Sequence, residues 1–144
     1  MKGKSTMDSI LRGKTIFVVE DEYFIAADLS RALVNAGAEV IGPLADLDAA
    51  MKRAREHSLD AAILDINLEG RMSYPLVDLL GEDNVPMLLL TGYDQGSLPA
   101  ACRQAPCICK PHSIDHVLGE LARLLARPEG ASEPVPLPSR PAAV

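Results

Sequence analysis

The stretch Thr15-Ile16-Phe17-Val18-Val19-Glu20-Asp21-Glu22 joins a short apolar run to three consecutive acidic residues. A continuous apolar run of this length predicts a strand that is buried on both faces, as in a parallel sheet. The next residues predict a helix, because Gly37 stands where a helix C-cap would lie. Apolar residues recur at helical spacing before it: Ile25, Ala26, Leu29, Ala32, Leu33 and Ala36. The stretch therefore predicts a β-strand followed by an α-helix.

The same alternation continues along the chain. Further strands are predicted at 39–42, 61–64, 85–90 and 107–109, and further helices after a cap at Asp46, around 76–80 and after a cap at Ser113. Each parallel crossover needs a covering helix. Five β–α units therefore predict an α/β fold, a doubly wound five-stranded parallel sheet with helices on both faces.

The chain of 144 residues has the length of one domain. Residues 1–12 are polar and lack periodicity, so we expect a flexible N-terminal segment. Residues 128–144 hold five of the eleven prolines, which predicts a disordered tail. The folded unit is then 13–127, and we expect no DNA-binding or catalytic output module beside it.

Composition excludes several classes of function. The formal net charge of −6 disfavours non-specific binding to nucleic acid, and an aromatic content of 3% disfavours base-stacking surfaces. No run of 18 apolar residues and no apolar export segment occurs, so we expect no membrane association and a cytoplasmic protein. Three cysteines give no disulfide framework and suit a reducing compartment.

Polar residues follow four of the predicted strands: Glu20-Asp21-Glu22, Asp65, Thr91-Gly92 and Lys110-Pro111. Taken singly, each of these is ordinary turn chemistry. The carboxyl ends of parallel strands share one edge of the sheet, however, where ligands of such folds bind. Clustered carboxylates repel unless a cation neutralises them, and oxygen ligands favour Mg²⁺ or Mn²⁺ over zinc.

Asp65 is the candidate nucleophile of this edge. A carboxylate beside a metal ion can form an acyl phosphate. Asp65 directly follows an apolar strand, which holds its carboxylate in place. Lys110 and Thr91 can neutralise and hydrogen-bond the transferred group. The sequence thus predicts phosphoryl chemistry at the strand ends.

The motifs Val18-Val19-Glu20-Asp21-Glu22, Leu64-Asp65-Ile66-Asn67, Leu90-Thr91-Gly92 and Lys110-Pro111 resemble the receiver domain of bacterial two-component response regulators. The resemblance spans the whole folded unit and implies a flavodoxin-like receiver fold with strand order 2-1-3-4-5. Leu89-Leu90-Thr91-Gly92-Tyr93 also resembles the Phe-Ala-Thr-Gly-Tyr variant of a subgroup of single-domain alphaproteobacterial receivers.

Site roles follow from this resemblance, position by position. It implies that Asp65 is the phosphoacceptor and that Asp21 is the main metal carboxylate, assisted by Glu20. The backbone carbonyl of Asn67 would complete the shell of Mg²⁺ or Mn²⁺. Thr91, Gly92 and Lys110 would bind the phosphoryl group, with Thr91 as the switch hydroxyl.

Two departures from the family pattern concern the switch. Cys107 stands where most members have an aromatic residue three positions before the lysine. Only eighteen residues separate Thr91 from Lys110, and Pro99 and Pro106 fall among them, so we expect a short or irregular helix there. Since many receivers dimerise or meet partners on this face, we expect a different output surface.

The resemblance implies a stand-alone receiver that accepts a phosphoryl group from a histidine kinase or phosphotransfer protein. It would signal through altered protein–protein interaction in a phosphorelay, without acting as an enzyme on an external metabolite. The cognate kinase, the downstream protein partner and homodimer formation stay open.

Other functions remain as alternatives: a phosphate sink within the phosphorelay, or an adaptor that works without phosphorylation. An α/β phosphatase is less favoured, because such sites carry a second Asp where this chain has Asn67. A zinc or redox sensor built from Cys102, Cys107, Cys109 and His112 lacks a Cys-x-x-Cys pair.

Overall fold

Apolar runs separated by helical stretches fold into one central sheet. The computed structural model describes residues 6–92, 98–103, 105–110 and 113–126. In chain order the elements are α1 (Thr6–Leu11), β1 (Thr15–Val19), α2 (Tyr23–Asn35), β2 (Glu39–Leu44), α3 (Leu47–Glu56), β3 (Ala61–Asp65), β4 (Asn67–Leu68), β5 (Arg71–Met72), α4 (Tyr74–Glu82), β6 (Met87–Thr91), α5 (Ala100–Arg103), β7 (Cys107–Cys109) and α6 (Ile114–Ala126).

The main sheet has five parallel strands in the order β2-β1-β3-β6-β7, and β4 and β5 form a separate antiparallel pair. Because β6 and β7 are the fourth and fifth strands of the main sheet, the predicted order 2-1-3-4-5 is confirmed. The predicted doubly wound α/β fold is confirmed with it. β1 and β3 lie in the middle and are buried along nearly their whole length.

Successive side chains of β1 point to opposite faces of the sheet and enter two separate cores. Phe17 and Val19 belong to a cluster formed with α3, α4 and α5. Ile16 and Val18 belong to a second cluster, formed with α1, α2 and α6. The continuous apolar run that predicted a doubly covered strand therefore does fill both faces.

Helix ends carry the caps that the sequence predicts. Asp46 Oδ2 accepts the Ala49 N–H at 2.9 Å at the start of α3. Ser113 Oγ accepts the His116 N–H at 3.0 Å at the start of α6. Gly37, with φ +94°, comes directly after Ala36, the C-cap residue of α2, in the left-handed conformation that glycine adopts without strain.

The described part of the predicted N-terminal segment, 1–12, contains a helix. Residues 6–11 form α1, and Leu11 is fully buried in the second cluster together with Leu118 and Leu121 of α6. A helix of about one and a half turns is too short to show periodicity in the sequence, so the anchoring role of Leu11 could not be recognised.

The predicted tail, 128–144, lies outside the described residues. In the part of the chain that the structure describes, no helix is both long and apolar enough to cross a membrane.

Several strand boundaries also move: the strands predicted at 39–42 and 61–64 extend to Leu44 and Asp65, and the strand predicted at 85–90 spans Met87–Thr91. The strand predicted from residue 85 begins at Met87, because the Val85 N–H donates to the Leu80 carbonyl and so helps to close the C-terminal end of α4. The helix expected between Thr91 and Lys110 is short: α5 has 4 residues, while 93–97 and 104 lie outside the described residues.

Candidate functional site

The register of the sheet brings the predicted side chains to one edge. Asp65 is the last residue of β3 and pairs with Leu90, one residue before the end of β6. Thr91 ends β6 and pairs with Cys109, which ends β7. Lys110 follows directly, and its backbone N–H donates to the Thr91 carbonyl at 2.8 Å. Parallel pairing thus aligns the strand ends of β3, β6 and β7.

Three carboxylates meet at this edge. One carboxylate oxygen from each of Glu20, Asp21 and Asp65 lies within 4.8 Å of the other two. Glu20 and Asp65 are buried, with 2% and 3% of their surface exposed, and Asp21 is half-buried. Glu20 Oε1 is buried without a hydrogen-bond partner among the described residues. An oxygen-only donor set with an unsatisfied buried acceptor fits a hard divalent cation such as Mg²⁺.

Burial raises the pKa of Glu20 to about 7. The backbone N–H of Glu22 donates to Glu20 Oε2 at 3.0 Å and opposes this shift, whereas the nearby Asp65 carboxylate adds to it. The cluster is therefore electrostatically unfavourable when no cation other than a lysine balances it.

Lys110 is that lysine. Its Nζ lies 2.8 Å from Asp65 Oδ2 and 3.5 Å from Glu20 Oε1. Burial by itself lowers the pKa of Lys110, but Asp65 and Glu20 outweigh it and leave the pKa raised. The ammonium group is thus held in its charged form beside the candidate nucleophile.

Two further hydrogen bonds hold Asp65. Its Oδ1 accepts the Asn67 N–H at 3.1 Å. The fully buried hydroxyl of Ser73 lies 2.8 Å from the Asp65 carbonyl oxygen and 3.1 Å from that of Ile66. Sequence reasoning missed Ser73, since a serine before a helix reads as a cap, and here the side chain makes no cap hydrogen bond.

The 67–72 hairpin, which consists of β4, a turn and β5, was also not predicted. The Glu69 N–H donates to Asp21 Oδ2 at 2.8 Å, and Asn67 Oδ1 accepts the Gly70 N–H at 2.7 Å. Glu69 and Gly70 have φ of +54° and +91°. The available signal was the Asn67-to-Gly70 spacing, which is typical of a side-chain-stabilised turn.

A cleft of about 450 Å³ opens at this edge. Its lining consists of acidic residues, an asparagine, two glycines and a lysine: Asp21, Glu22, Asp65, Asn67, Glu69, Gly70, Gly92 and Lys110. Asn67 and Gly92, both predicted site residues, therefore line the cleft. Thr91 is buried at the end of β6.

Cys107 lies apart from the carboxylates. It is half-buried and packs against the first core cluster, with Leu89 as its partner in the sheet. Burial raises the pKa of the Cys102 thiol, which disfavours the thiolate that zinc requires. Cys109 is exposed. His112 lies outside the described residues, and within the described ranges no cysteine joins a metal-ligating group of three.

Comparisons with known proteins agree on one family. The sequence model of the response regulator receiver domain matches residues 16–120. The transcriptional regulatory protein PdtaR of Mycobacterium tuberculosis is 25% identical over 131 residues, which cover 88% of this chain and 64% of that protein. The chain thus spans less than two thirds of this relative's length.

Two solved structures are similar over most of their own length. The solution structure of SdrG from Sphingomonas melonis Fr1 has a TM-score of 0.66 and 32% identity, covering 81% of this chain and 98% of that one. The BeF3-activated conformation of SdrG from Pseudomonas melonis Fr1 has a TM-score of 0.64 and 33% identity, covering 78% and 96%.

Proposed function

The chain belongs to the response regulator receiver domain family, and on this premise we propose that it accepts a phosphoryl group on Asp65 in the presence of Mg²⁺. The donor is a histidine kinase or a phosphotransfer protein, and the phosphorylated chain signals through altered protein–protein interaction in a phosphorelay. The observation that carries the proposal is the contact of 2.8 Å between Lys110 Nζ and Asp65 Oδ2 inside a cluster of three carboxylates.

Asp65 is placed to act as the nucleophile. A carboxylate oxygen of Asp65 attacks the phosphorus of a phosphohistidine, the new O–P bond forms, and the P–N bond breaks with its electron pair left on the imidazole. The Asn67 N–H and Lys110 Nζ hold the two oxygens of the attacking carboxylate. Positioned charge of this kind is the main contribution that a protein makes to phosphoryl transfer.

Lys110 then has a second partner. After transfer, the phosphoryl group adds about −1.5 to −2 of charge at the strand ends. The ammonium group, already within 2.8 Å of the acceptor oxygen, can hydrogen-bond a phosphoryl oxygen with little movement. Thr91 ends the adjacent strand β6 and Gly92 follows it, and they supply a hydroxyl and an open backbone position at the same edge.

Glu20, Asp21 and Asp65 are the residues that would hold Mg²⁺, and the backbone carbonyl of Asn67 is a further ligand that the family pattern suggests. When bound, the ion supplies positive charge that neutralises the phosphoryl oxygens and the acids around them. The family resemblance and the oxygen-only donor set support this assignment.

The chain acts in this proposal as a switch rather than as an enzyme on an external substrate. It assists its own phosphorylation and dephosphorylation, and the added charge biases the loops and helices that meet the strand ends. The similarity to SdrG, for which a BeF3-activated conformation is known, supports a response of this chain to the same phosphoryl mimic.

The test is labelling by a small radioactive phosphodonor such as acetyl phosphate. We expect label on the wild-type protein with Mg²⁺, none after chelation with EDTA, and none on Asp65→Asn. Asp83→Asn, which alters an exposed acid at the end of α4, is the matched control and is expected to label normally. Label that persists on Asp65→Asn would refute the assignment, and steady turnover of a phosphate ester would favour a phosphatase.

A phosphotransfer profile against the host's histidine kinases then identifies the donor.

A further inference from the structure

The 67–72 hairpin holds acids from two different strands at once. The Asn67 N–H donates to Asp65 Oδ1 at 3.1 Å, and two residues further on the Glu69 N–H donates to Asp21 Oδ2 at 2.8 Å. Each carboxylate therefore has one oxygen fixed by the same short hairpin. The position of the hairpin sets where these two acids stand relative to each other.

An ion pair holds the other strand of the hairpin. Arg71 on β5 reaches Asp48 in the first turn of α3, with Nη1–Oδ2 at 3.2 Å and Nη2–Oδ1 at 3.4 Å. Asp48 raises the pKa of Arg71 by accepting these hydrogen bonds. The two parallel contacts give the fork geometry that fixes orientation as well as distance.

The core anchors each strand of the hairpin through one apolar side chain, whereas the turn residues Glu69 and Gly70 are exposed. Each of its strands has two residues, and an isolated two-stranded hairpin is marginally stable. Leu68 of β4 is buried in the first core cluster, and Met72 of β5 is half-buried and packs against the same cluster, whereas Arg71 is exposed. A tether on β5 therefore has a direct effect on the turn that carries Glu69.

We infer that Arg71 and Asp48 are positioning residues for Mg²⁺: their ion pair holds the 67–72 hairpin so that the Glu69 N–H orients the Asp21 carboxylate toward the ion. This inference rests on the proposed metal-dependent function. Neither residue contacts the ion. Both act through the backbone of the hairpin.

The direction of the change in Mg²⁺ affinity distinguishes a positioning role of the ion pair from the effect of removing a charge near the cleft. Loss of the Arg71 charge alone would strengthen Mg²⁺ binding to the acidic cleft, while loss of the Asp48 charge alone would weaken it. Loss of positioning weakens binding in both variants. Because the pair is exposed, the expected effect is small, about two- to fivefold in Kd.

The experiment is a calorimetric Mg²⁺ titration of the wild-type protein, Arg71→Gln, Asp48→Asn and the double variant at constant ionic strength. Both single variants are expected to bind more weakly, and the double variant no more weakly than the weaker single one, as one shared interaction requires. Arg31→Gln, which breaks the exposed Arg31–Asp28 pair of 3.0 Å on α2, is the matched control and is expected to bind like the wild type. Shifts of opposite sign in the two single variants would overturn the inference.

A second measurement needs no metal. Amide hydrogen exchange at Glu69, followed by NMR in EDTA, is expected to be faster in Arg71→Gln and Asp48→Asn than in the wild type and Arg31→Gln. Unchanged exchange together with unchanged Kd overturns the inference while leaving the proposed function intact. A wild-type protein that binds no Mg²⁺ overturns the proposed function and this inference with it.

Discussion

Lys110 Nζ and Asp65 Oδ2 lie 2.8 Å apart, although β6 separates β3, which ends at Asp65, from β7, which ends one residue before Lys110. The same ammonium group lies 3.5 Å from Glu20 Oε1. One lysine thus offsets two buried carboxylates at the edge of the sheet. Under the proposed function, removing the positive charge of this lysine would alter the electrostatic environment of both the metal ion and the phosphoryl group.

We expect Lys110→Gln to change metal binding and phosphorylation in opposite directions. Without the ammonium group the three carboxylates present more negative charge, so Mg²⁺ binding becomes about two- to fivefold tighter. The same loss removes the cation beside the transferred group, so labelling by a small phosphodonor slows by about tenfold or more. Calorimetry and initial labelling rates measure the two effects.

Lys52→Gln is the control for this pair of measurements, because Lys52 is an exposed lysine on α3. It is expected to leave both quantities unchanged. If Lys110→Gln weakened Mg²⁺ binding, the lysine would be organising the carboxylates rather than competing with the ion for them.

Ser73→Ala is expected to lower the free energy of unfolding by about 1–2 kcal/mol, because it leaves the Asp65 carbonyl without its hydroxyl donor, whereas the Ile66 carbonyl keeps the Ser73 N–H at 2.7 Å. Urea denaturation measures the change. Ser30→Ala is the contrasting variant, since the buried Ser30 hydroxyl has no hydrogen-bond partner among the described residues. Its removal is expected to be neutral or slightly stabilising, and equal losses in the two variants would contradict the prediction.

The strands and the residues at their ends could be predicted because both signals are local in sequence. An apolar run such as 15–19 is buried on both faces, and the acids that follow it must stand at the carboxyl edge of a parallel sheet. The sheet topology then determines which residues meet, because parallel pairing aligns Asp65, Thr91 and Lys110 at one edge. This alignment can be predicted without any information about side-chain contacts.

What could not be predicted depends on contacts between distant parts of the chain. The 67–72 hairpin has too few residues for strand periodicity, and its tether joins Arg71 to Asp48, 23 positions away. Helix α1 is stabilised by the burial of Leu11 against α6, near the other end of the chain. Neither pairing leaves a pattern in the local sequence.

A phosphoryl mimic is expected to change the environment of residues 91–106. Thr91 ends β6 at the candidate site, while Leu98 and Cys102 further along are buried in the first core cluster beside Cys107. Movement of Thr91 toward a phosphoryl group would therefore be passed to packed side chains even though no aromatic residue stands at 107. Amide shifts recorded with and without beryllofluoride and Mg²⁺ measure this.

The control for the mimic is Asp65→Asn, whose amide shifts are expected to stay constant under the same additions. Unchanged shifts across 91–106 in the wild-type protein would sink the prediction. Shifts confined to the acids at the cleft would mean that the ion binds without engaging Thr91.

Glu20 makes the stability of the metal-free protein depend on pH. Its pKa is about 7 in the folded chain against 4.5 for an unperturbed glutamate, so between these values the folded state keeps a proton that the unfolded state has released. Stability therefore falls as pH rises through this window and is lowest, with respect to this group, above pH 7. Glu20→Gln removes the effect. In EDTA we compare the free energy of unfolding of Glu20→Gln with that of the wild type at each pH. The variant minus wild-type difference is expected to be about 2 kcal/mol larger at pH 8 than at pH 5.

Urea denaturation at the two pH values checks this expectation, with Glu22→Gln, an exposed acid two residues along, as the control that shows no such difference. The same gain at both pH values would mean that Glu20 ionises as easily in the folded chain as in the unfolded one. With saturating Mg²⁺ at pH 8, the wild type is expected to be more stable than Glu20→Gln, because the ion stabilises the protein that keeps the Glu20 carboxylate. A residue that lowers stability without the ion and raises it with the ion is retained for binding rather than for folding.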